Sequence, residues 1–470
     1  MGKGGQQVFK ASPELVGAPL RAGKKISMEE VERHNEVADC WMVYQNKVYD
    51  VSNWEDHPGG QVIFSHAGGD FTDVFNAFHP KSSFAALDKF YVGDLDPSAG
   101  SSTKPKEQID FENAYRALRT KMMAAGLFEV SFAYYAYKVL SNLAILGASV
   151  ACVVSSDSLW VNMGGAVLLA LFWQQCGWLA HDFLHHQVFE NRSYGDIAGL
   201  IIGNLWQGFS VSWWKNKHNT HHSVPNLHES SPQAMDGDPD IDTMPVLAWS
   251  LKMAEQAKDS KLGRFFVRYQ AVLYFPILLV ARISWLHQSW LYANSSTEGT
   301  KSGSWQGKQA VKKQVTYPVL EKVGLLLHYS WVIALCAQMP ILRGVAFFFT
   351  SQFMCGLFLA LVFGLGHNGM AVYDASMRPD FWKLQVTTTR NITSNWFVDW
   401  FCGGLQYQVD HHLFPMIPRH NLKKTHQLVT GFCKEHSVTY HETNMWVGTK
   451  EVLSFLNNVS TEFFTEFPAM

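Results

Sequence analysis

The chain has 470 residues, long enough for about two or three domains, and its 38 Lys and Arg against 40 Asp and Glu leave no basic excess of the kind that binds nucleic acid. Its seven Cys are scattered, with no Cys-x-x-Cys and several inside apolar runs. That pattern excludes a disulfide framework or a thiolate metal site and fits a reduced chain facing the cytosol. The mean hydropathy of -0.06 looks soluble, but it averages long polar ends with uncharged apolar runs that only a windowed reading finds.

The opening Met1-Gly-Lys-Gly-Gly-Gln6 has no apolar h-region, so it does not read as a signal peptide, and Gln6 spoils a myristoylation match. Residues 1–23 are expected to be disordered. Ser27-Met-Glu-Glu30 has capping-box spacing and opens a short helix to about His34. Trp41 to Tyr44 and Lys47 to Val51 read as strands joined by a turn at Gln45-Asn46.

Next come Asp56-His57-Pro58-Gly59-Gly60 and Phe78-His79-Pro80, with Tyr91-Val-Gly-Asp94 closing the segment. Residues 24–96 resemble cytochrome b5, whose module carries His-Pro-Gly-Gly and a second axial His some twenty-odd residues later. The resemblance implies a small α+β domain with one haem b held by His57 and His79. Two imidazoles saturate the iron, so such a haem carries an electron and leaves no open position for oxygen. His66 is the rival second ligand, but only nine residues from His57 it is expected on the same flank.

Residues 97–110 are small, polar and proline-punctuated, a linker. The mixed-charge segment 111–125 reads as an amphipathic helix on a membrane surface. Ala133 to Val154 and Leu159 to Leu179 read as membrane spans, as do Val323 to Met339 and Val345 to Leu365. Phe265 to Tyr292 is apolar too, but Arg268 and Arg282 interrupt it, so it is placed in the interface. The short turn at 155–158 lacks Lys and Arg while 215–264 carries several, which puts the turn in the lumen and the later segments in the cytosol.

Three histidine boxes flank these spans: His181, His185, His186; His218, His221, His222; and Gln408, His411, His412. On a helix, His181 and His185 lie on one face, as do His218 and His222, while His186 and His221 point about 100° away toward a second metal position. One such pair is usually two ordinary polar residues. Eight clustered His exceed one tetrahedral zinc site and fit two metals, and imidazole alone does not choose between Zn, Cu, Fe and Ni.

Four spans with boxes of this form resemble the membrane fatty acid desaturases, and with the haem module and Gln408 heading the third box they look like a front-end desaturase, most like Δ6 enzymes. The resemblance implies a multi-domain chain: a haem domain, then an all-α integral membrane domain over 111–450 with four transmembrane helices and a cytosolic helical cap, then a tail at 451–470. It implies two non-haem irons on the eight box histidines, with His367 after the last span completing the ligand set of the second iron. Many relatives place His where Gln408 stands, and an amide oxygen is a weaker donor. The implied reaction uses O2 and electrons passed from NADH through a cytochrome b5 reductase and the haem. It inserts a cis double bond between the carboxyl end and an existing one, linoleic to γ-linolenic or α-linolenic to stearidonic. The acyl carrier is a phospholipid or coenzyme A, and the membrane is that of the endoplasmic reticulum with boxes and haem domain cytosolic. Δ5, Δ8 and sphingolipid Δ8 desaturases share the same motifs, a hydroxylase shares the di-iron scaffold, and residues 24–96 alone would suit a membrane haem carrier.

Other features read as structural. Asp236, Asp238, Asp240 and Asp242 alternate as in a calcium loop, but Ile241 stands where Gly is needed. His34, His287, His328, His420, His426, His436 and His441 read as isolated from the boxes and either satisfied or solvated, His228 as a neighbour of the second box, and Cys176 as packing. Phe183, Trp213, Trp214 and Phe414 read as packing near the boxes.

Overall fold

A computed structural model describes residues 24–52, 54, 57–80, 83–96, 104–229, 237–294 and 315–468. The expected disordered segment 1–23, most of the linker and Asp236 lie outside them.

The first domain is a five-stranded sheet in the order β1-β5-β4-β3-β2, with β1 Lys25–Ile26, β2 Asn35–Glu36, β3 Asp39–Tyr44, β4 Lys47–Asp50 and β5 Tyr91–Leu95. Strands β3 and β4 form a hairpin pairing Tyr44 with Lys47. Its two turn residues, Gln45 and Asn46, both have positive φ, the turn that matches strand twist. The Ser27 hydroxyl caps Met28–Arg33 by accepting from Glu30 N at 3.1 Å. Cys40, Met42, Tyr44, Phe64, Phe71 and Phe75 fill the core between the sheet and its helices.

Five helices are long and apolar enough to cross a membrane, one more than expected. Phe132–Val154 and Leu159–Leu184 pack together as a hairpin, while Pro318–Cys336, joined to Ile341–His367 by a short turn, packs mainly on Leu200–Gln207. Tight approach is built in at Gly165, whose carbonyl accepts from the Ser149 hydroxyl at 2.7 Å and where a Cβ would lie 2.9 Å from Cys152. The fifth helix, Lys261–Asn294, packs along Ile341–His367 and was expected to lie flat in the interface. Three of these five helices lie between the second box and the third. If an odd number of them crossed completely, the boxes would face opposite sides; they meet at one place, so an even number does. Crossing by Pro318–Cys336 and Ile341–His367, with Lys261–Asn294 returning to the side it started from, is one arrangement that satisfies this count.

Arg282 within that helix is buried, donating to Gln352 Oε1 at 2.8 Å and Gln207 O at 2.7 Å and lying 3.9 Å from the Trp173 ring centroid. An internal cation is tolerated because bonds and an aromatic face replace water.

The cap over the box end comprises Val211–Ser223, Phe381–Thr388, Gln408–Leu413 and Leu422–Glu435. Two segments differ from expectation. Lys106–Ala124 does not float on a membrane surface: Tyr115, Leu118 and Met122 are buried against Val409, Leu413 and Phe414, and the Tyr115 hydroxyl donates to Leu413 O at 2.9 Å. The supposed tail begins inside a helix, Met445–Glu466, whose Val452, Leu456, Val459 and Phe463 pack with Val267 and Tyr274 of Lys261–Asn294. Its apolar residues recur at helical spacing, so it is core rather than appendage.

Candidate active site

Each box sits at a helix end. His181 lies in the last turn of Leu159–Leu184 and His185 caps it, its N–H reaching His181 O at 2.9 Å. The second box rides on Val211–Ser223, whose start is fixed by Ser210 accepting from Trp213 N at 3.1 Å. Glu321 secures the same turn, accepting from the Ser210 and Ser212 hydroxyls and from Ser212 N. The third box is the short helix Gln408–Leu413, and His367 is the last residue of Ile341–His367.

These ends converge. His181, His185, His218, His222 and His411 bring five ring nitrogens within 4.8 Å of one another, and His221, His367 and His412 form a second group of three. The groups touch where the His222 and His412 rings stack at 4.0 Å. Gln408 joins the second group, its side-chain amide 2.7 Å from His367 Nε2. Turning that amide over would present the oxygen to the same point. A Cβ at Gly366 would lie 3.0 Å from Gln408 Cγ, so glycine makes room for it.

His186 joins neither group. The helix ends at His185, and His186 takes φ 58°, which swings its ring away to Gly195, where a Cβ would sit 3.2 Å from its Nδ1. The expected 100° offset holds only while the backbone stays helical, as it does at His221.

The arrangement is hard to satisfy without a cation. His218 Nε2 lies 2.9 Å from His185 Nε2 and 3.0 Å from His222 Nε2, and His411 Nε2 lies 3.2 Å from His222 Nε2. A neutral imidazole nitrogen carries one N–H or one lone pair, so Nε2 of His218 and Nε2 of His222, each close to two others, cannot meet both neighbours squarely. His181 Nε2 and His412 Nε2 are buried without any partner. Burial pushes His185, His218, His222, His411 and His412 well below the usual imidazole range, so protons do not relieve the clash. Metal ions at the two foci would accept these lone pairs, and an imidazole-rich donor set suits iron.

The outward nitrogens are held by partners that sequence reading missed. His221 Nδ1 pairs with Asp238 Oδ2 at 2.8 Å. Burial works to lower His221, but the Asp238 charge and hydrogen bond outweigh it and hold it above its usual value. His412 Nδ1 donates to Gln385 Oε1 at 2.8 Å, and Gln385 Nε2 donates to His222 O at 3.0 Å. Asp182 lies 3.4 Å from His181 Nδ1 and accepts from the Tyr135 hydroxyl at 3.0 Å and Arg419 Nε at 2.5 Å. Asp410 accepts from Asn391 at 2.7 Å and pairs with His426, so His426 is not isolated. Such partners fix tautomer and ring direction. Asp182 and Asp410 stand inside the boxes, where their place beside the histidines was the signal that could have found them; Asp238 stood only in a run of alternating Asp, and Gln385 left no signal. His228 stays outside, bonded to Ser250 Oγ at 2.8 Å. Trp214 stacks on His218 at 4.3 Å, while Phe183, Trp213 and Phe414 are buried packing.

In the first domain the His57 and His79 rings face each other with centroids 6.0 Å apart. His57 Nδ1 donates to Gly60 O and His79 Nδ1 to Phe75 O, both at 3.1 Å, which leaves each Nε2 lone pair free toward the gap. Burial pushes His57 down to about 4, and burial with the neighbouring His57 and Arg192 pushes His79 down to about 3. The pair fits an axial ligand set for a haem iron. His66 does not face His57; its Nδ1 lies 3.1 Å from Ser65 Oγ and 3.2 Å from Ser223 Oγ.

Two family models match the chain, the fatty acid desaturase model over residues 158–444 and the cytochrome b5-like heme/steroid binding domain over residues 27–96. Among curated proteins it is 40% identical to an acyl-lipid (9-3)-desaturase of Physcomitrium patens, covering 92% of this chain and 78% of that one. It is 34% identical to the Delta(6)-fatty-acid desaturase fat-3 of Caenorhabditis elegans, over 86% and 92% of the two chains. A Delta(8)-fatty-acid desaturase of Helianthus annuus is 32% identical over 96% and 94%.

Proposed function

Because this chain belongs to the fatty acid desaturase family, as a front-end member with a fused cytochrome b5 domain, we propose that it places a cis double bond at Δ6 of C18 polyunsaturated acyl chains. Linoleic acid would become γ-linolenic acid and α-linolenic acid would become stearidonic acid. The observation that carries the chemistry is the meeting of three distant boxes at two imidazole foci with unmet lone pairs. The Δ6 position is supported by the likeness to the (9-3) and Delta(6) relatives, and the Delta(8) relatives keep Δ8 as the alternative.

Two irons at these foci, with O2 and two electrons from outside, supply the power to remove two hydrogens from neighbouring methylenes. The balance would be one O2 reduced to two waters by two electrons and two protons from the removed hydrogens, two electrons and one proton from NADH, and one proton from solvent. His181, His185, His218, His222 and His411 would hold the first iron, and His221, His367, His412 and Gln408 the second. Asp238 and Gln385 keep His221 and His412 in the tautomer whose Nε2 faces inward. Trp214 blocks one side of His218 and, with the other buried aromatics, keeps water from the ligands. Positioning of one methylene against these fixed groups sets the outcome.

Electrons reach the haem between His57 and His79 from an NADH-cytochrome b5 reductase. The protein lies in the endoplasmic reticulum membrane with its cap and haem domain on the cytosolic side, and the acyl group is presented on a phospholipid, in keeping with the acyl-lipid relative. Expression in yeast fed linoleic, α-linolenic and dihomo-γ-linolenic acids, with mass spectrometry locating the new double bond, tests this. γ-Linolenic and stearidonic acids are expected; new bonds only at Δ5 or Δ8 would overturn the Δ6 assignment.

A further inference from the structure

The helix that carries the second box has two working faces. His218, His221 and His222 point into the metal foci, while Asn219 and Ser223, one helical turn apart, point to the haem domain. Two segments of that domain meet it, and each borders one of the facing histidines. Gly60–His66 begins three residues after His57, and Ser65 Oγ lies 2.8 Å from Ser223 Oγ with His66 Nδ1 beside it. Thr72–Phe78 ends immediately before His79, and the Phe78 ring stands edge-on to His222 at 6.0 Å and 82°.

The contact is clamped from both sides. Arg192, in the helix after the first box, donates to Phe78 O at 2.7 Å. Arg378 donates to Ser65 O at 2.6 Å. Arg116 grips Asp73 through two bonds of 2.8 and 2.9 Å, a fork that fixes direction as well as distance. These arginines come from three separate parts of the desaturase domain and all end on the haem domain near His57 or His79.

We propose that this docked face is the intramolecular electron route, with Phe78 bridging covalently from His79 and by ring contact to His222, and Arg192 as the positioning residue that holds the bridge. The proposal rests on the reading of His57 and His79 as haem ligands and of His222 as an iron ligand. One electron moves at a time from reduced haem to oxidised non-haem iron, with no bond made or broken in the protein. The route explains why His66 is buried between two serines without being a haem ligand: it belongs to the seam.

The test uses the full-length holoprotein with its haem and iron. Docking is read without turnover by a Ser65→Cys/Ser223→Cys pair, which should form an interdomain disulfide under mild oxidation, identified by peptide mass spectrometry. Transfer is read by stopped-flow absorbance of the haem, reduced through its reductase and then mixed with O2 and acyl substrate. Phe78→Ala and Arg192→Gln should keep the haem spectrum, the iron content and the rate of haem reduction, and slow haem reoxidation by about tenfold or more, as a misplaced reacting pair does. Phe78→Tyr should restore the rate. Reoxidation as fast as wild type in Phe78→Ala, or no crosslink in the paired variant, would overturn the route while leaving the desaturase reading intact. A wild-type protein whose reduced haem passes nothing to substrate-linked oxygen consumption would sink that reading and this route with it.

Discussion

Asp238 gives the sharpest handle on the second metal focus. Its side chain is fully buried, Oδ2 accepts from both His221 Nδ1 and Asn226 N at 2.8 Å, and Oδ1 accepts from Asp240 N at 2.8 Å. Asp238→Asn keeps the volume but removes the charge and one acceptor. Whichever way the amide turns, its NH2 faces a donor, either Asp240 N or the pair formed by His221 Nδ1 and Asn226 N. In both orientations His221 loses the charge that helps aim its Nε2 at His367 and His412, and in one of them it loses the acceptor as well. Removing such a partner weakens a metal site by about 10- to 100-fold, or about 1.4 to 2.7 kcal/mol. The assay is iron per haem after dialysis against a chelator, with product formation in yeast alongside. The variant should lose non-haem iron and product while its haem spectrum stays unchanged. Full iron and full product would refute the claim that Asp238 orients a ligand.

Other consequences separate residues that the motif treats alike. His186→Ala should keep its non-haem iron, whereas His185→Ala should lose it; equal loss in both, measured as iron per haem, would return His186 to the ligand set. Gly366→Ala puts a Cβ 3.0 Å from Gln408 Cγ and should lower iron occupancy with little change in thermal stability, since the neighbouring glutamine must move by a few tenths of an ångström. Leu456→Ala opens a cavity in a fully buried contact and should cost about 2 to 5 kcal/mol, seen as a lower melting temperature in detergent. An unchanged melting temperature would make residues 451–466 a dispensable tail after all.

Much of this architecture was legible because its signals are local. His-Pro-Gly-Gly, the capping box at Ser27 and the apolar runs each declare themselves within a few residues, and helical spacing alone put His181 with His185 and His218 with His222. What escaped reading depends on where the backbone stops being helical or on contacts across hundreds of residues. His186 lies one step past a helix end, so its expected direction failed for a reason no periodicity carries. Gln385 meets His412 only through the fold, and Asp238 was read only as one of four alternating Asp, not as the partner of His221. The segments at 111–125 and 451–466 were misplaced because an apolar stripe shows that a helix is covered, not what covers it. Lys261–Asn294 passes every test of length and hydropathy for a span, and only the meeting of the boxes around it limits what it does.

The most direct measurement is metal stoichiometry on the purified full-length protein, with haem counted by its pyridine haemochrome and total metal by mass spectrometry. Two imidazole foci beside one haem predict about three irons for each haem, about two of them outside the porphyrin. Iron equal to haem, or zinc in place of the extra iron, would contradict it.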